Sequence, residues 1–231
     1  MGINLQDGIQ LFQDETVISG VVTDGCGSTP HPEVGAKLFA YQLARWARKY
    51  NGTIPEAGVH ELNATLLLEI GAFAGTNLTR FRQFINDYML FTVVGVISTP
   101  ERTVIYGAGD GIWAVNGKVT EIDQDNQPDY PAYAVLNPEN QEKCELKIYW
   151  SGATDEIDSL LVATDGFRYV PEHTMKSFWT DPKYLKNPYS LQRTVNPLVW
   201  GGHAKDDISG ILLRRKEAAE ADSEVELKEA A

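Results

Sequence analysis

The chain has 231 residues, 43 % of them hydrophobic and 10 % aromatic, and a formal net charge of −12. That length supports one large domain or two small ones with a substantial core; no apolar run reaches the roughly 18 residues of a membrane span, and no basic-then-apolar leader opens the chain. So acidic a body is a poor match for nucleic acid, which is bound largely through Lys/Arg contacts to phosphate, and suits either a cation binder or a protein charged for solubility.

In chain order, Gly8–Phe12 and Thr16–Thr23 flank the polar Gln13-Asp14-Glu15 turn and predict a β-hairpin. Antiparallel pairing brings its outer ends together, so Asp7 and Asp24 are expected as neighbours at one rim. Val21–Ser28 is an apolar run that stops at Asp24. Gly25 and Gly27 then allow a sharp turn and a close backbone approach to a ligand. Alone, this is also the pattern of an ordinary Asp-Gly turn. Cys26 and Cys144 are the only cysteines, which gives no disulfide framework and favours the cytoplasm. Glu33 to about Tyr50 reads as a helix with Phe39, Leu43, Trp46 and Tyr50 on one stripe and Asn51-Gly52 as its stop. Val59–Ile85 carries Leu62, Leu66, Ile70 and Phe73 on one face, with Gly71 and Gly75 weakening the middle enough to make two helices. Both stripes are expected to be core.

Tyr88–Ser98 is nearly all apolar or β-branched, a strand buried on both faces. Thr103–Ala108 returns and ends in Gly109-Asp110-Gly111. Ile112–Val115 and Lys118–Ile122 flank Asn116-Gly117, a strong hairpin signal. Asp123–Asn140 is polar, carries three prolines and is expected as a long surface loop. Strands follow over Glu145–Trp150 and Ser159–Thr164, the second ending at Asp165-Gly166. Tyr169–His203 reads as a short helical or irregular insertion, and Asp206-Asp207 precedes a closing strand, Ile208–Arg214. Residues 1–215 thus read as one domain. Residues 216–231, with six acids and two lysines, read as a mobile acidic tail.

Asp7, Asp24, Asp110, Asp165 and Asp206 all fall at strand edges beside turn residues. Gathered at one rim they would repel, and each pKa would rise, unless a cation joined them. Magnesium or manganese suits an all-oxygen ligand set. Cys26 has no Cys-x-x-Cys partner and the four histidines are scattered, which argues against zinc. Two such ions about 4 Å apart can share a water, lower its pKa and align it against phosphorus.

Asp24-Gly25-x-Gly27, Gly109-Asp110, Ala163-Thr164-Asp165-Gly166 and Asp206-Asp207 before an apolar strand stand in a telling order. Together they resemble the signature of the metal-dependent protein serine/threonine phosphatases of the 2C type, over about residues 5–214. Gln6-Asp7 and the helix start Pro32-Glu33-Val34-Gly35-Ala36 are similar to the bacterial branch of that family. The resemblance implies an α+β fold, a four-layer α-β-β-α sandwich with two antiparallel sheets between helix pairs. It implies that Asp24 bridges two Mg²⁺ or Mn²⁺ ions, that the Gly25 carbonyl and Asp7 serve one ion, and that Asp165 and Asp206 hold the other. Asp110 with Asp165 matches a weaker third-metal site. Asp207 takes the place of a polar neighbour, and the sequence does not separate it from Asp206. Asp24 and Asp165 would act through a water shared by the metals, which attacks the phosphorus of phosphoserine or phosphothreonine directly, with no phosphoenzyme.

The chain departs from the family in three places. Cys26 stands where a histidine thought to protonate the leaving oxygen is usual. A phosphate-gripping arginine has no counterpart in Met1–Gln6. Phe167-Arg168-Tyr169 replaces a tryptophan-containing acidic motif, which removes one third-metal ligand. Arg168 is either a stand-in for the missing arginine or a surface charge. Two functions follow: a phosphoprotein phosphatase, or a phosphatase-like module that holds metal or a phosphoprotein and turns over slowly or not at all. His31, in the loop after Asp24, is either a general acid or a surface histidine. Cys26 is either a reactive thiol or a small buried residue. His203 is expected to be structural, and His60 and His173 carry no assigned role. Ser28 has no adjacent histidine–acid pair, so a serine-hydrolase triad has no support.

Overall fold

The turn after the first strand is built by one side chain. Asp14 Oδ1 accepts hydrogen bonds from the Thr16 backbone and hydroxyl, 2.9 Å each, and from the Val17 N–H at 3.0 Å, so the short polar segment closes on itself. The hairpin it joins, β1 (Gly8–Gln13) and β2 (Ile18–Gly25), is the one expected. The computed structural model describes residues 5–50, 55–75, 78–125 and 127–215. The further strands are β3 (Phe91–Ser98), β4 (Arg102–Ala108), β5 (Gly111–Val115), β6 (Lys118–Ile122), β7 (Lys147–Ala153), β8 (Ser159–Ala163) and β9 (Gly210–Arg214). The helices are α1 (Pro32–Ala47), α2 (Pro55–Ala74), α3 (Leu78–Tyr88), α4 (Pro131–Leu136), α5 (Gln141–Cys144), α6 (Glu172–Thr180), α7 (Lys183–Lys186) and α8 (Ser190–Trp200).

Two antiparallel sheets result, in the orders β1-β2-β3-β4-β7 and β6-β5-β8-β9. Alternation along the strands sorts their side chains into layers. Val21, Val93 and Ile97 face α1 and α2, joining Phe39, Leu43, Leu62, Leu66 and Ile70. Their neighbours Val22, Val94 and Val96 face the other way and meet Leu160, Val162 and Ile211 between the sheets. Leu161 and Ala163 then face Phe167, Phe178 and Val195 on the far side. The order is therefore helix, sheet, sheet, helix. Each fully buried Val, Leu or Ile contributes about 1.5–3 kcal/mol, which is why the central strands carry apolar side chains on both faces. Phe39 of α1 stacks on Phe91 of β3 at 5.3 Å, tying the first helix to the sheet that carries Asp24.

The Asn116-Gly117 hairpin forms as expected, with φ of +50° and +77° at its two central residues, the paired left-handed turn that matches strand twist. Val59–Ile85 is divided between α2 and α3. Several expectations need correction. Phe73, placed on a core stripe, is 45 % exposed. Tyr88 ends α3 instead of opening β3. Asp123–Asn140 is not a surface loop throughout, because α4 within it buries Ala132, and Tyr130 just before it is 7 % exposed. Tyr130 and Pro131 form a helix start with proline in its first turn, where the missing N–H costs nothing. Tyr169–His203 is mostly helical, and its Phe178 and Tyr184 fill the outer core of the second sheet. The closing strand starts at Gly210, two residues after the expected Ile208. The Asn51-Gly52 stop and the 216–231 tail lie outside the described residues.

Candidate metal centre

The five strand-edge aspartates share one end of the sandwich because each stands a short step from a paired residue. Asp7 precedes Gly8, which pairs with Thr23, so it lies beside Asp24. Asp24 is the penultimate residue of β2, opposite Thr92 of β3. Asp110 sits in the two-residue link by which the chain crosses from β4 in one sheet to β5 in the other. Asp165 follows β8 and Asp206 precedes β9, two strands that pair through Ala163 and Gly210 at this end. Gly166 holds that junction closed: a Cβ there would run into the Asp207 carbonyl.

Carboxylate oxygens of Asp24, Asp165 and Asp206 all lie within 4.8 Å of one another. Asp7, 2 % exposed, lies close enough to Asp24 for the two carboxyls to interact. The Thr164 hydroxyl donates to Asp7 Oδ2 at 3.1 Å and accepts from the Ser209 N–H at 3.1 Å, so two residues flanking the β8–β9 junction orient the β1 acid. Asp206, and not its neighbour Asp207, joins Asp24 and Asp165 in the group of three; each of the two also accepts a backbone N–H, Asp207 Oδ2 from Gln6 at 2.7 Å and Asp206 Oδ1 from Asp207 at 2.8 Å. Asp110 lies outside the group of three, against Asp165 and Arg168.

Burial, reinforced by the charges of Asp7, Asp206 and Asp165, pushes the Asp24 carboxyl up to about 10. Burial pushes Asp7 up to about 6. Desolvation and then Asp206 raise Asp165, and desolvation raises the more exposed Asp206. Without a cation the cluster thus retains protons on groups that ordinarily ionise near pH 4. Among the described residues, Asp7 Oδ1 and Asp165 Oδ1 are buried with no hydrogen-bond partner. An all-carboxylate donor set with two orphaned oxygens fits hard divalent ions such as Mg²⁺ and Mn²⁺.

The remaining candidates separate clearly. His31 stacks on Tyr88 at 5.3 Å and approaches Glu33 at 3.9 Å, a helix-start position tied to α3. The His203 N–H caps the end of α8 by bonding the Leu198 carbonyl. Cys26 is half-buried, 3.2 Å from the Ser28 hydroxyl and in contact with the Tyr130 hydroxyl. Sequence reasoning missed Tyr130, Thr164 and Ser209. Burial and the Cys26 contact hold the Tyr130 phenol well above its usual range, and Asp24 and Asp110 add to the effect. Arg168 is exposed, and its guanidinium is 2.9 Å from Glu121 and 3.7 Å from Asp165.

Comparison with known proteins agrees with this fold. A bacterial serine phosphatase superposes with a TM-score of 0.63 at 18 % identity, covering 93 % of this chain and 94 % of that one. The serine/threonine phosphatase Stp1 from Staphylococcus aureus gives 0.64 at 17 %, covering 93 % and 91 %. The catalytic domain of the serine/threonine phosphatase PstP, solved with two manganese ions, gives 0.58 at 16 %, covering 92 % of each. At such identities these likenesses show the fold. No curated protein matches in sequence. The Protein phosphatase 2C family model matches residues 1–200, most of the chain, and the protein belongs to that family.

Proposed function

We propose that this chain is a Mg²⁺- or Mn²⁺-dependent phosphomonoester hydrolase acting on phosphoserine and phosphothreonine in proteins, with residues 1–215 as its phosphatase domain and 216–231 as an acidic tail. The observation that carries the reading is the convergence of Asp24, Asp165 and Asp206 within 4.8 Å, beside the orphaned buried oxygens of Asp7 and Asp165. Family membership and the two manganese ions of PstP support metal use. When bound, a pair of such ions supplies Lewis acidity toward a phosphoryl group and acidifies water. Asp24 would bridge the pair, Asp7 and the Gly25 carbonyl would serve one ion, and Asp165 and Asp206 would hold the other. Thr164, tied to the Ser209 N–H, fixes the Asp7 carboxylate in advance, which limits reorganisation during the reaction. Cys26 and Cys144, both free, fit a reducing compartment such as the cytoplasm.

The test is hydrolysis of p-nitrophenyl phosphate and of a phosphothreonine peptide by the purified full chain. Turnover that requires Mn²⁺ and disappears with chelator and in Asp165→Asn is expected. Turnover that survives chelation overturns the reading. A second reading, a metal- or phosphoprotein-binding module of little activity, is favoured by the Cys26 thiol in place of a histidine at this rim. Mn²⁺ binding without turnover selects it.

A further inference from the structure

The acid rim holds more carboxylates than the Asp24–Asp165–Asp206 group uses. Asp110, 6 % exposed, stands at the crossover between the sheets, and Glu121 and Asp123 stand at the end of β6. Arg168 pairs with two of the acids on this side, Glu121 and Asp165, and feels the charges of Asp123 and Asp110 from farther away. Arg168 sits three residues after Asp165 on a 3₁₀ turn, a spacing at which side chains eclipse. Its guanidinium reaches Glu121 Oε1 at 2.9 Å and Asp165 Oδ2 at 3.7 Å, from a side chain that is 29 % exposed. Asp165 therefore divides its oxygens: Oδ2 faces the guanidinium, while Oδ1 is buried and has no partner among the described residues.

We infer that Arg168 is a resident cation that takes the place of a divalent ion between Asp110 and Asp165, so that the chain holds two ions and not three. The inference rests on the metal-dependent reading above. A guanidinium stays charged at every working pH and cannot diffuse away, so it neutralises this side of the rim permanently. A divalent ion held by Asp110 and Asp165 would have to lie close to that fixed positive charge, which already pairs with Asp165. Tyr169, the next residue, brings no carboxylate to offset the repulsion. The third-metal pairing expected from the sequence is thus filled by the protein itself. Arg168 is also engaged with carboxylates, which removes it as a direct substitute for a phosphate-gripping arginine.

Counting Mn²⁺ ions on the metal-free full chain, by native mass spectrometry and by calorimetry, tests this. Wild type and Arg168→Lys are expected to bind two equivalents. Arg168→Ala is expected to bind a third, weaker one, and Asp110→Asn in that background to abolish it. Arg168→Gln, which keeps hydrogen-bonding groups without charge, carries the same expectation should Arg168→Ala not fold. Three equivalents on wild type, or two on a folded charge-removing variant, overturn the inference and leave the phosphatase reading standing. A wild-type chain that binds no Mn²⁺ overturns the metal-centre reading on which the inference rests.

Discussion

Around Asp7 and Asp24 the acid rim relieves its own repulsion with protons, pushing the two carboxyls up to about 6 and about 10. Around Glu121 and Asp165 it relieves it with the Arg168 guanidinium, at 2.9 and 3.7 Å. Burial still pushes Asp110 up to about 6, but Arg168 opposes the rise. Protons exchange with solvent and can be displaced by a metal ion, whereas a guanidinium cannot. The same residue type at the same end of one sandwich thus makes a centre open to an external cation on one side and a closed ion-pair network on the other.

The comparison is broken most severely by removing Asp24, the acid proposed to bridge the metal pair. Asp24→Asn should lower metal-dependent turnover by more than about 100-fold, since even indirect supports of a metal site are worth about 10–100-fold; steady-state assay at saturating Mn²⁺ measures it. Thr164→Val deletes the hydroxyl that orients Asp7 and should weaken Mn²⁺ binding by about 10–100-fold, read by titration, while leaving the Arg168 network intact. Gly166→Ala drives a methyl group into the Asp207 carbonyl. It should cost about 1–3 kcal/mol, with each kcal/mol lowering the melting midpoint by roughly 2–4 °C for a chain of this size.

A dependence on pH follows as well. Asp7 and Asp24 have native pKa values above the ordinary 3.8, so the native state holds their protons more tightly than the unfolded chain does. Their contribution to stability is full below about pH 4 and declines as pH rises through about 6 and on toward about 10. In chelator, melting midpoints measured between about pH 4 and pH 8 should therefore favour wild type over Asp24→Asn progressively less. Added Mn²⁺ should reverse the trend at the alkaline end. A pH-independent difference would show that Asp24 is not held protonated.

Much of this centre was legible because its signals are local. A strand that stops at Asp24-Gly25 or Asp165-Gly166 announces a rim carboxylate through turn chemistry alone, and the hairpin places Asp7 beside Asp24 without further information. The layers came from the family resemblance, with which the one strand read as buried on both faces, Tyr88–Ser98, agrees. What escaped was set by distance along the chain. Glu121, on β6, meets Arg168 only because β5 pairs with both β6 and β8, a pairing invisible around residue 168. Tyr130 escaped because α4 is six residues long and set among prolines and polar residues, too short for any periodicity to show. Asp206 differs from Asp207 only in meeting Asp24 and Asp165, acids distant along the chain.

The most direct test of the central claim is calorimetric titration of the metal-free chain with Mn²⁺ near neutral pH, repeated in buffers of different ionisation heat, for wild type and Asp24→Asn. The wild type should bind saturably and release protons, because Asp24, held protonated up to about 10 in the absence of a cation, must ionise to become a ligand; Asp24→Asn should lose that binding. No saturable heat from the wild type, or the same isotherm and proton release from the variant, would contradict the account.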